Sequence, residues 1–354
     1  MGQTKAVKNK IRLNFTIKLL IAAVIFLLVF FVCAAVGSVG IPFDHTVRAL
    51  LNAFGIGDVS DISEGTVKII TNVRVPRILI AALCGAALAG AGAAMQGLLK
   101  NPLADGSTLG VATGGTLGAV IVIALGLSPA ALGSFALPVV SMLFSFGFLM
   151  LVVFTAYGID RKLSGMTVIL CGVIFSMLAA GIISLIIALS GDKLDRIVFW
   201  TMGSFAGKDF DAVLVMLVFC AAGLGVVLWF SRELNILSLG EEQASFLGVR
   251  TKSVKLWIMA ACAVLIGVSV AFCGAIGFVG LAVPHITRMF TGPDHKKMLP
   301  LNIFTGAVFM MITDLIARTI ISPLELPVGV ITQIIGAAVF IAVFALLRKK
   351  RTKI

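Results

Sequence analysis

The sequence predicts an all-helical protein that crosses a membrane many times. Of its 354 residues, 60% are hydrophobic and only 12% are charged, a balance that ordinary soluble domains do not show. Apolar runs of roughly 20 residues, the length needed to cross a bilayer, recur along the whole chain. No soluble segment is long enough to hold a second domain, so we expect residues 1–354 to form one membrane domain.

Ten apolar runs can be placed as transmembrane helices. The third begins with a polar run at 105–108, and the eighth is short and contains Pro284. Spans two to five and seven to ten enter from opposite sides, which predicts two inverted four-helix groups, an arrangement common in transporters. We place the ten spans near 17–37, 76–98, 106–126, 134–156, 166–189, 210–230, 254–273, 276–290, 300–320 and 328–347.

A basic segment, residues 1–16, precedes the first span. This arrangement also fits a secretory signal peptide, because the small residues Ala34 and Ala35 follow the apolar run. Signal peptides have shorter apolar cores of about 7–15 residues, so we favour an uncleaved first helix.

Basic residues predict the orientation of the chain. With the amino terminus in the cytoplasm, most of the 28 lysines and arginines fall in cytoplasmic segments, as the positive-inside rule requires. The carboxy-terminal basic tail, 348–354, then also lies inside. The net charge of +12 is therefore a topology signal, and its dispersal over short loops argues against nucleic-acid binding.

The residues that commonly bind metals do not form a recognisable site in the sequence. The six cysteines all fall in apolar runs without a C-x-x-C pair, so we interpret them as small core residues. His285 and His295 have no carboxylate at ligand spacing. We expect this chain to bind neither a metal nor a cofactor.

Five blocks of the sequence carry a resemblance to a known family. They are RVPRILIAALCGAALAGAGAAMQGLLKNPLADGSTLGVATG (74–114), LCG (170–172), LGEEQASFLGV (239–249), GAIGFVGLAVPHITRMFTGPDHKKMLP (274–300) and TDLIARTIISPLELPVGV (313–330). The chain resembles permease subunits of type II ABC importers of the FecCD type, which take up ferric siderophores, haem and cobalamin. The resemblance implies the ten-helix fold of a cobalamin-importer permease. It also implies a second permease subunit, two ATPase subunits carrying ATP and Mg²⁺, an extracytoplasmic substrate-binding protein, and surrounding lipid.

The chain itself lacks a phosphate-binding loop. No G-x-x-x-x-G-K-[ST] occurs; Gly207-Lys208 comes closest, but Met202 stands at the first glycine position and Asp209 at the Ser or Thr position. We therefore expect no ATP hydrolysis by this chain, and a separate subunit must supply it.

The predicted cytoplasmic loop 231–253 has the features of a short capped helix. Ser238 and Glu241 have the spacing of a capping box, which predicts a helix from Leu239 to Leu247 that stops at Gly248. A solvated connector is the alternative, but the resemblance implies a pair of short helices that fits a groove on the ATPase. The implied contact residues are Gly240, Glu241, Glu242, Ala244, Leu247, Gly248 and Val249.

Three arginines are predicted on the outer side: Arg74, Arg77 and Arg318. They could snorkel to the membrane interface, or Arg318 could pair with Asp314 one helical turn earlier. The resemblance implies that all three receive acidic residues of the binding protein.

Asp314 and Pro284 interrupt apolar runs. A carboxylate at mid-span costs about 2.5–3.5 kcal/mol on insertion scales, so we expect a partner or a function to account for Asp314 at this position. A proton or cation site is one hypothesis. We favour a structural partner to Arg318 or to a helix end, because proton relays usually need several such groups.

The loop between spans four and five corresponds to the cytoplasmic gate of the family. It contains Ser164, Gly165, Met166 and Thr167. Many relatives have an arginine at the position of Thr167 and small hydroxyl residues at 165 and 166. The gate position therefore carries over, but its chemistry does not.

Together these patterns predict the permease subunit of a binding-protein-dependent ABC importer in a bacterial cytoplasmic membrane. It would move an iron–siderophore complex by ATP-driven alternating access. Haem and cobalamin remain alternative substrates. An ion-coupled secondary transporter is the alternative class, and it would work without an ATPase. A membrane-embedded enzyme would need paired carboxylates or a nucleophile–base set, which the sequence does not offer.

Overall fold

The computed structural model describes residues 14–37, 40–53, 55–56, 58–127 and 133–351, with side chains except at 107, 134 and 343–351. Residues 1–13 of the predicted basic tail 1–16 and residues 352–354 of the tail 348–354 lie outside this description. The described part consists of helices joined by loops and contains no strand. Its α-helices are α1 (Phe15–Ala35), α2 (Phe43–Asn52), α3 (Glu64–Lys68), α4 (Val75–Leu98), α5 (Val111–Leu125), α6 (Ala136–Ile159), α7 (Gly165–Leu189), α8 (Leu194–Thr201), α9 (Phe210–Trp229), α10 (Ser231–Leu239), α11 (Glu241–Phe246), α12 (Thr251–Cys273), α13 (Val279–Thr291), α14 (His295–Thr319) and α15 (Val328–Arg351).

Each of the ten predicted spans falls on one helix of the described chain, namely α1, α4, α5, α6, α7, α9, α12, α13, α14 or α15. Seven of these are long and apolar enough to cross a bilayer, with α4 counted together with α3 and the π-helical turn Ile69–Arg74. Helix α5 has 15 residues and α13 has 13, and the side chains of α15 are described only as far as residue 342. The all-helical membrane fold is thus confirmed, while ten crossings stay a prediction.

Helix α4 is the centre of the core. It is buried along nearly its whole length, whereas few residues of α1 and α7 are buried. Glycines allow the neighbouring helices to approach it. A Cβ on Gly85 would lie 2.1 Å from the carbonyl oxygen of Gly306 in α14, and a Cβ on Gly92 would lie 2.0 Å from that of Gly280 in α13. Small residues are what permit such contacts between membrane helices.

The chain leaves the helical conformation between the seventh and eighth predicted spans, before Pro284. Helix α12 ends at Cys273, and the chain resumes as α13 after Phe278, which has a left-handed φ of +68°. Helix α13 then runs through Pro284, which cannot donate to the carbonyl of Gly280. Gln96 Nε2 on α4 donates to that carbonyl instead, at 3.1 Å, so the helix keeps its hydrogen bonding across the proline.

Candidate functional site

Polar groups lie at the two ends of α4. We call residues 231–253 the coupling loop. The end of α4 that lies beside this loop is called the coupling end. Leu98 at the last turn of α4 lies at this end, and Arg77 at the first turn lies at the opposite end.

The coupling loop folds into two short helices, as the resemblance implies, whereas the capping pattern predicted one. Gly240, with φ +139° and ψ 150°, separates α10 from α11. Ser238 lies inside α10, where its Oγ donates to the carbonyl of Asn235 at 2.6 Å, so it does not cap the second helix. The capping-box prediction is therefore wrong, because glycine at 240 lets the chain turn before Glu241.

The predicted end of the second helix is confirmed. Gly248 has φ +82°, and its N–H donates to the carbonyl of Ser245 at 3.0 Å. The N–H of Val249 donates to the carbonyl of Ala244, also at 3.0 Å. These two bonds form the Schellman motif that a glycine after the helix end makes possible.

Three large apolar side chains project from the coupling loop. Phe246 is 91% exposed, Leu239 66% and Leu247 63%. We call these three residues the apolar ridge. Exposed apolar patches of this kind mark surfaces that bind another protein or a membrane. Sequence reasoning named Leu247 but missed Phe246, although a phenylalanine between Ser245 and Gly248 in a polar segment was a signal for it.

The other predicted contact residues divide into two groups. Glu242 and Gly248 are exposed, and Gly240 and Val249 are partly exposed. Ala244 is fully buried, so it packs inside the loop and cannot contact a partner. Its prediction as a contact is wrong, because α11 turns this side toward the chain's own core.

The inner side of the coupling loop is tied to two membrane helices. Asn235 Nδ2 donates to Asp294 Oδ1 at 2.8 Å, and Asn235 Oδ1 accepts from the N–H of His295 at 2.9 Å, where α14 begins. Burial opposes ionisation of Asp294, but this hydrogen bond and one from the N–H of Lys296 outweigh it and lower its pKa. Glu241 pairs with Lys255 on α12 at 2.7 Å. Movement of α10 or α11 must therefore strain these ties.

Residues 160–167, which we call the gate loop, lie beside this junction. Asp160 accepts hydrogen bonds of 2.9 Å from the N–H groups of Lys162 and Ser164, and these bonds lower the pKa of its carboxyl. Ser164 Oγ lies 2.9 Å from Thr167 Oγ1 at the start of α7. The loop is thus held in one conformation by its own short hydrogen bonds.

The predicted gate residues meet the end of α4. A Cβ on Gly165 would lie 3.1 Å from the carbonyl oxygen of Leu99, and Met166 is 77% exposed. The structure therefore places the first turn of α7 directly beside the last residues of α4.

The opposite end of α4 holds a buried ion cluster, which we define as Arg77, Asp314, Arg318 and Glu325. Arg77 Nη2 lies 2.9 Å from Asp314 Oδ1, and Arg77 Nη1 lies 2.8 Å from Glu325 Oε1. Arg318 Nε lies 3.5 Å from Asp314 Oδ2. Asp314 thus forms ion pairs with two arginines. This is the structural-partner role predicted for it, with Arg77 added from 237 residues away.

The three arginines predicted to dock a binding protein are buried in the described chain. Their exposed fractions are 5% for Arg74, 8% for Arg77 and 3% for Arg318. Arg74 Nη1 donates to the carbonyls of Ala34 and Ala35 at 2.8 and 2.7 Å. The structure disagrees with the prediction of accessible docking side chains, because internal carboxylates and carbonyls already occupy these guanidinium groups.

No group of three or more histidine, cysteine, aspartate or glutamate side chains is placed to hold a metal ion among the described residues. The six cysteines are buried and unpaired.

Comparison with known proteins shows which family shares this architecture. Residues 25–348 match the model of the FecCD transport family. The ABC transporter permease protein YvrB of Bacillus subtilis is 43% identical over 304 residues, 86% of each chain. The cobalamin import system permease protein BtuC of Halobacterium salinarum is 36% identical over 81% of this chain and 74% of its own. The hemin transport system permease protein HmuU of Yersinia pestis is 34% identical over 92% of this chain and 96% of its own.

The fold is also found among solved structures. An inward-facing structure assigned to a metal-chelate type ABC transporter aligns with a TM-score of 0.80 and 31% identity, covering 92% of this chain and 98% of that one.

Proposed function

Since the chain belongs to the FecCD transport family and is an ABC importer permease, we propose that it moves a bulky iron chelate, an iron–siderophore complex, through the membrane by ATP-driven alternating access. The family separates permease from ATPase, so ATP hydrolysis belongs to another subunit. We propose an assembly of two permease subunits, two ATPases and an external binding protein. In that assembly both termini and the coupling loop face the cytoplasm.

The observation that carries this proposal is the exposed apolar ridge on the coupling loop, whose inner side is bonded to two membrane helices. Leu239, Phe246 and Leu247 are exposed outside the predicted spans, where nothing apolar in the described chain covers them. The inner side of the same loop is tied to α12 and α14. A protein that buried the ridge would therefore be connected mechanically to the membrane helices. An ATPase that supplies the driving force needs this connection.

Replacing the central ridge residue tests this assignment. We expect Phe246→Ser to weaken assembly with the ATPase by about 10-fold or more, since central aromatic anchors often contribute 2 kcal/mol or more to an interface. The thermal stability of the permease should stay unchanged because the side chain is 91% exposed. The measurement is the amount of ATPase that copurifies with the tagged permease.

A matched control lies on the opposite side of the membrane. Phe199 on α8 is 64% exposed, and Phe199→Ser should leave ATPase copurification intact. Equal losses from both variants would show that the ridge is not the docking surface. Transport in liposomes without any ATPase would overturn the ABC assignment in favour of an ion-coupled secondary transporter.

The choice of an iron–siderophore complex rests on the names of similar proteins. The solved neighbour is assigned to metal-chelate transport, and the relatives include an Fe(3+) dicitrate permease of Escherichia coli and an iron(3+)-hydroxamate permease of Bacillus subtilis beside the hemin and cobalamin permeases. Uptake of a ⁵⁵Fe-labelled siderophore by cells with and without the permease is the direct test. Uptake that depends on the permease for hemin or cyanocobalamin, and not for the siderophore, would replace the proposed substrate.

The buried arginines have a different role in this proposal from the one the sequence predicted. We propose that Arg77 and Arg318 hold α4, α14 and the segment at Glu325 together beneath the surface on which the binding protein docks. Ile320, Ile321 and Leu324 are 61%, 50% and 70% exposed at this end and would provide the contact surface.

A further inference from the structure

Lys255 is a buried charge shared by two segments that are far apart in the sequence. Its side chain is 4% exposed. The ammonium group pairs with Glu241 on α11 at 2.7 Å and donates to the carbonyls of Lys162 at 3.1 Å and Leu163 at 2.8 Å in the gate loop. The lysine uses all three of its donors, and each partner belongs to a segment other than α12 itself.

These partners differ in what they supply. Glu241 is the carboxylate that balances the buried charge, and it is 34% exposed at the surface of the coupling loop. The two carbonyls anchor the gate loop at a backbone turn where Leu163 has a left-handed φ of +50° and is 1% exposed. A non-glycine residue keeps such a conformation only when its surroundings impose it. Lys255 is one of the groups that impose it.

From this geometry we propose that Lys255 is a positioning residue that transmits movement of the coupling loop to the gate loop. The inference rests on the proposed function, in which an ATPase moves the coupling loop. Removing the carboxylate that compensates a buried charge is strongly unfavourable. When α11 shifts, Lys255 therefore follows Glu241 or loses it, and in both cases its hold on the carbonyls of residues 162 and 163 changes.

The alternative is that Lys255 only fastens the loops together. If Lys255 only joins the loops, its loss would destabilise the gate loop equally with and without ATP. If Lys255 transmits movement, its loss would remove the change in the gate loop that ATP causes. Transmission also predicts that removal of the Glu241 link alone, which leaves both carbonyl bonds in place, abolishes that change.

The experiment measures gate movement in the importer assembled with its ATPase in lipid nanodiscs. Spin labels are attached at Arg161→Cys in the gate loop and Leu20→Cys on the exposed side of α1. Both positions are exposed, whereas the six native cysteines are buried and compete little for the label. The distance between labels is recorded with and without ATP, so no transport substrate is needed.

We expect ATP to change this distance in the labelled chain, and we expect the change to be lost in both Glu241→Gln and Lys255→Met. The double variant should show no further loss, since the two residues act as one link. ATP hydrolysis should persist in Lys255→Met, because this side chain is buried and does not reach the surface that contacts the ATPase. If Lys255→Met fails to fold, Glu241→Gln still decides the matter, because glutamine keeps the shape of the side chain and Lys255 keeps both carbonyl acceptors.

A second ion pair supplies matched controls. Glu64 and Lys68 form an exposed pair on α3, away from the coupling loop. Glu64→Gln and Lys68→Met should leave the ATP-dependent distance change intact. If the change survives Glu241→Gln, the proposed transmission is overturned while the importer function stands. If the labelled chain shows no ATP-dependent change at all, the proposed function fails and the transmission fails with it.

Discussion

The two ends of α4 handle buried charge in different ways. At the opposite end, Asp314 is 1% exposed and both of its arginine partners are buried. At the coupling end, Lys255 is equally buried, but its carboxylate partner Glu241 reaches the surface beside the apolar ridge. The first arrangement keeps the Asp314 carboxylate buried between two arginines and reaches the surface only through Glu325, whereas the one carboxylate that pairs with Lys255 in the described chain lies partly at the surface. This difference predicts that the ion cluster, which we also call the clamp, holds its helices in place, and that the Lys255–Glu241 connection can move with a partner.

The largest effect is expected from breaking the clamp. Asp314→Asn removes the carboxylate between Arg77 and Arg318 and leaves their buried charges poorly compensated. We expect a loss of about 3–5 kcal/mol in the free energy of unfolding, the usual cost of removing one partner of a buried pair. The yield of monodisperse permease and its thermal midpoint in detergent measure this loss.

An exposed ion pair is the control for that variant. Asp61 pairs with Arg48 at 2.8 Å, and both side chains are substantially exposed. Asp61→Asn should leave the thermal midpoint nearly unchanged, because solvent-exposed ion pairs contribute little to stability. Equal effects from the two aspartates would refute the clamp.

A smaller effect is expected from loosening the coupling end. Asn235→Ala removes the hydrogen bonds to Asp294 and to the N–H of His295. We expect the permease to lose about 1–3 kcal/mol of stability, because two polar groups lose their partner in a partly buried site. Ser238→Ala, at an exposed position on the same helix, should cost less. Chemical denaturation of the two variants side by side ranks them, and the reverse order would contradict the bracing role of Asn235.

The smallest effect tests whether Glu325 contributes to the stability that the clamp provides. Glu325 is 36% exposed, and Arg77 keeps Asp314 when Glu325 is neutralised. We expect Glu325→Gln to cost about 1 kcal/mol or less, visible as a small shift of the thermal midpoint. A loss as large as that of Asp314→Asn would mean that the clamp extends to the surface.

Local patterns in the sequence predicted the helices well and their joints less well. Apolar runs placed all the long helices, because hydrophobic length is a property of consecutive residues. Gly248 was predicted correctly as a helix end, since a glycine after a short helix acts through its own backbone. Ser238 was misassigned because the same spacing fits a cap and a helix interior, and Gly240 decided between them.

Contacts across the fold explain what sequence reasoning missed at the site. The Asp314–Arg318 pair was foreseen from four-residue spacing, but Arg77 joins it from another helix. Lys255 reads in the sequence as one more basic residue before an apolar run. Only the packing of α11 and the gate loop against α12 shows that it connects them.

The difference between the two ends of α4 can be measured most directly by hydrogen–deuterium exchange of the permease with and without its ATPase. The account predicts slower exchange in residues 239–249 when the ATPase binds, altered exchange in the gate loop at 160–167, and no change around Arg77 and Asp314. Protection confined to the Arg77–Asp314 end, or no protection in 239–249, would contradict it.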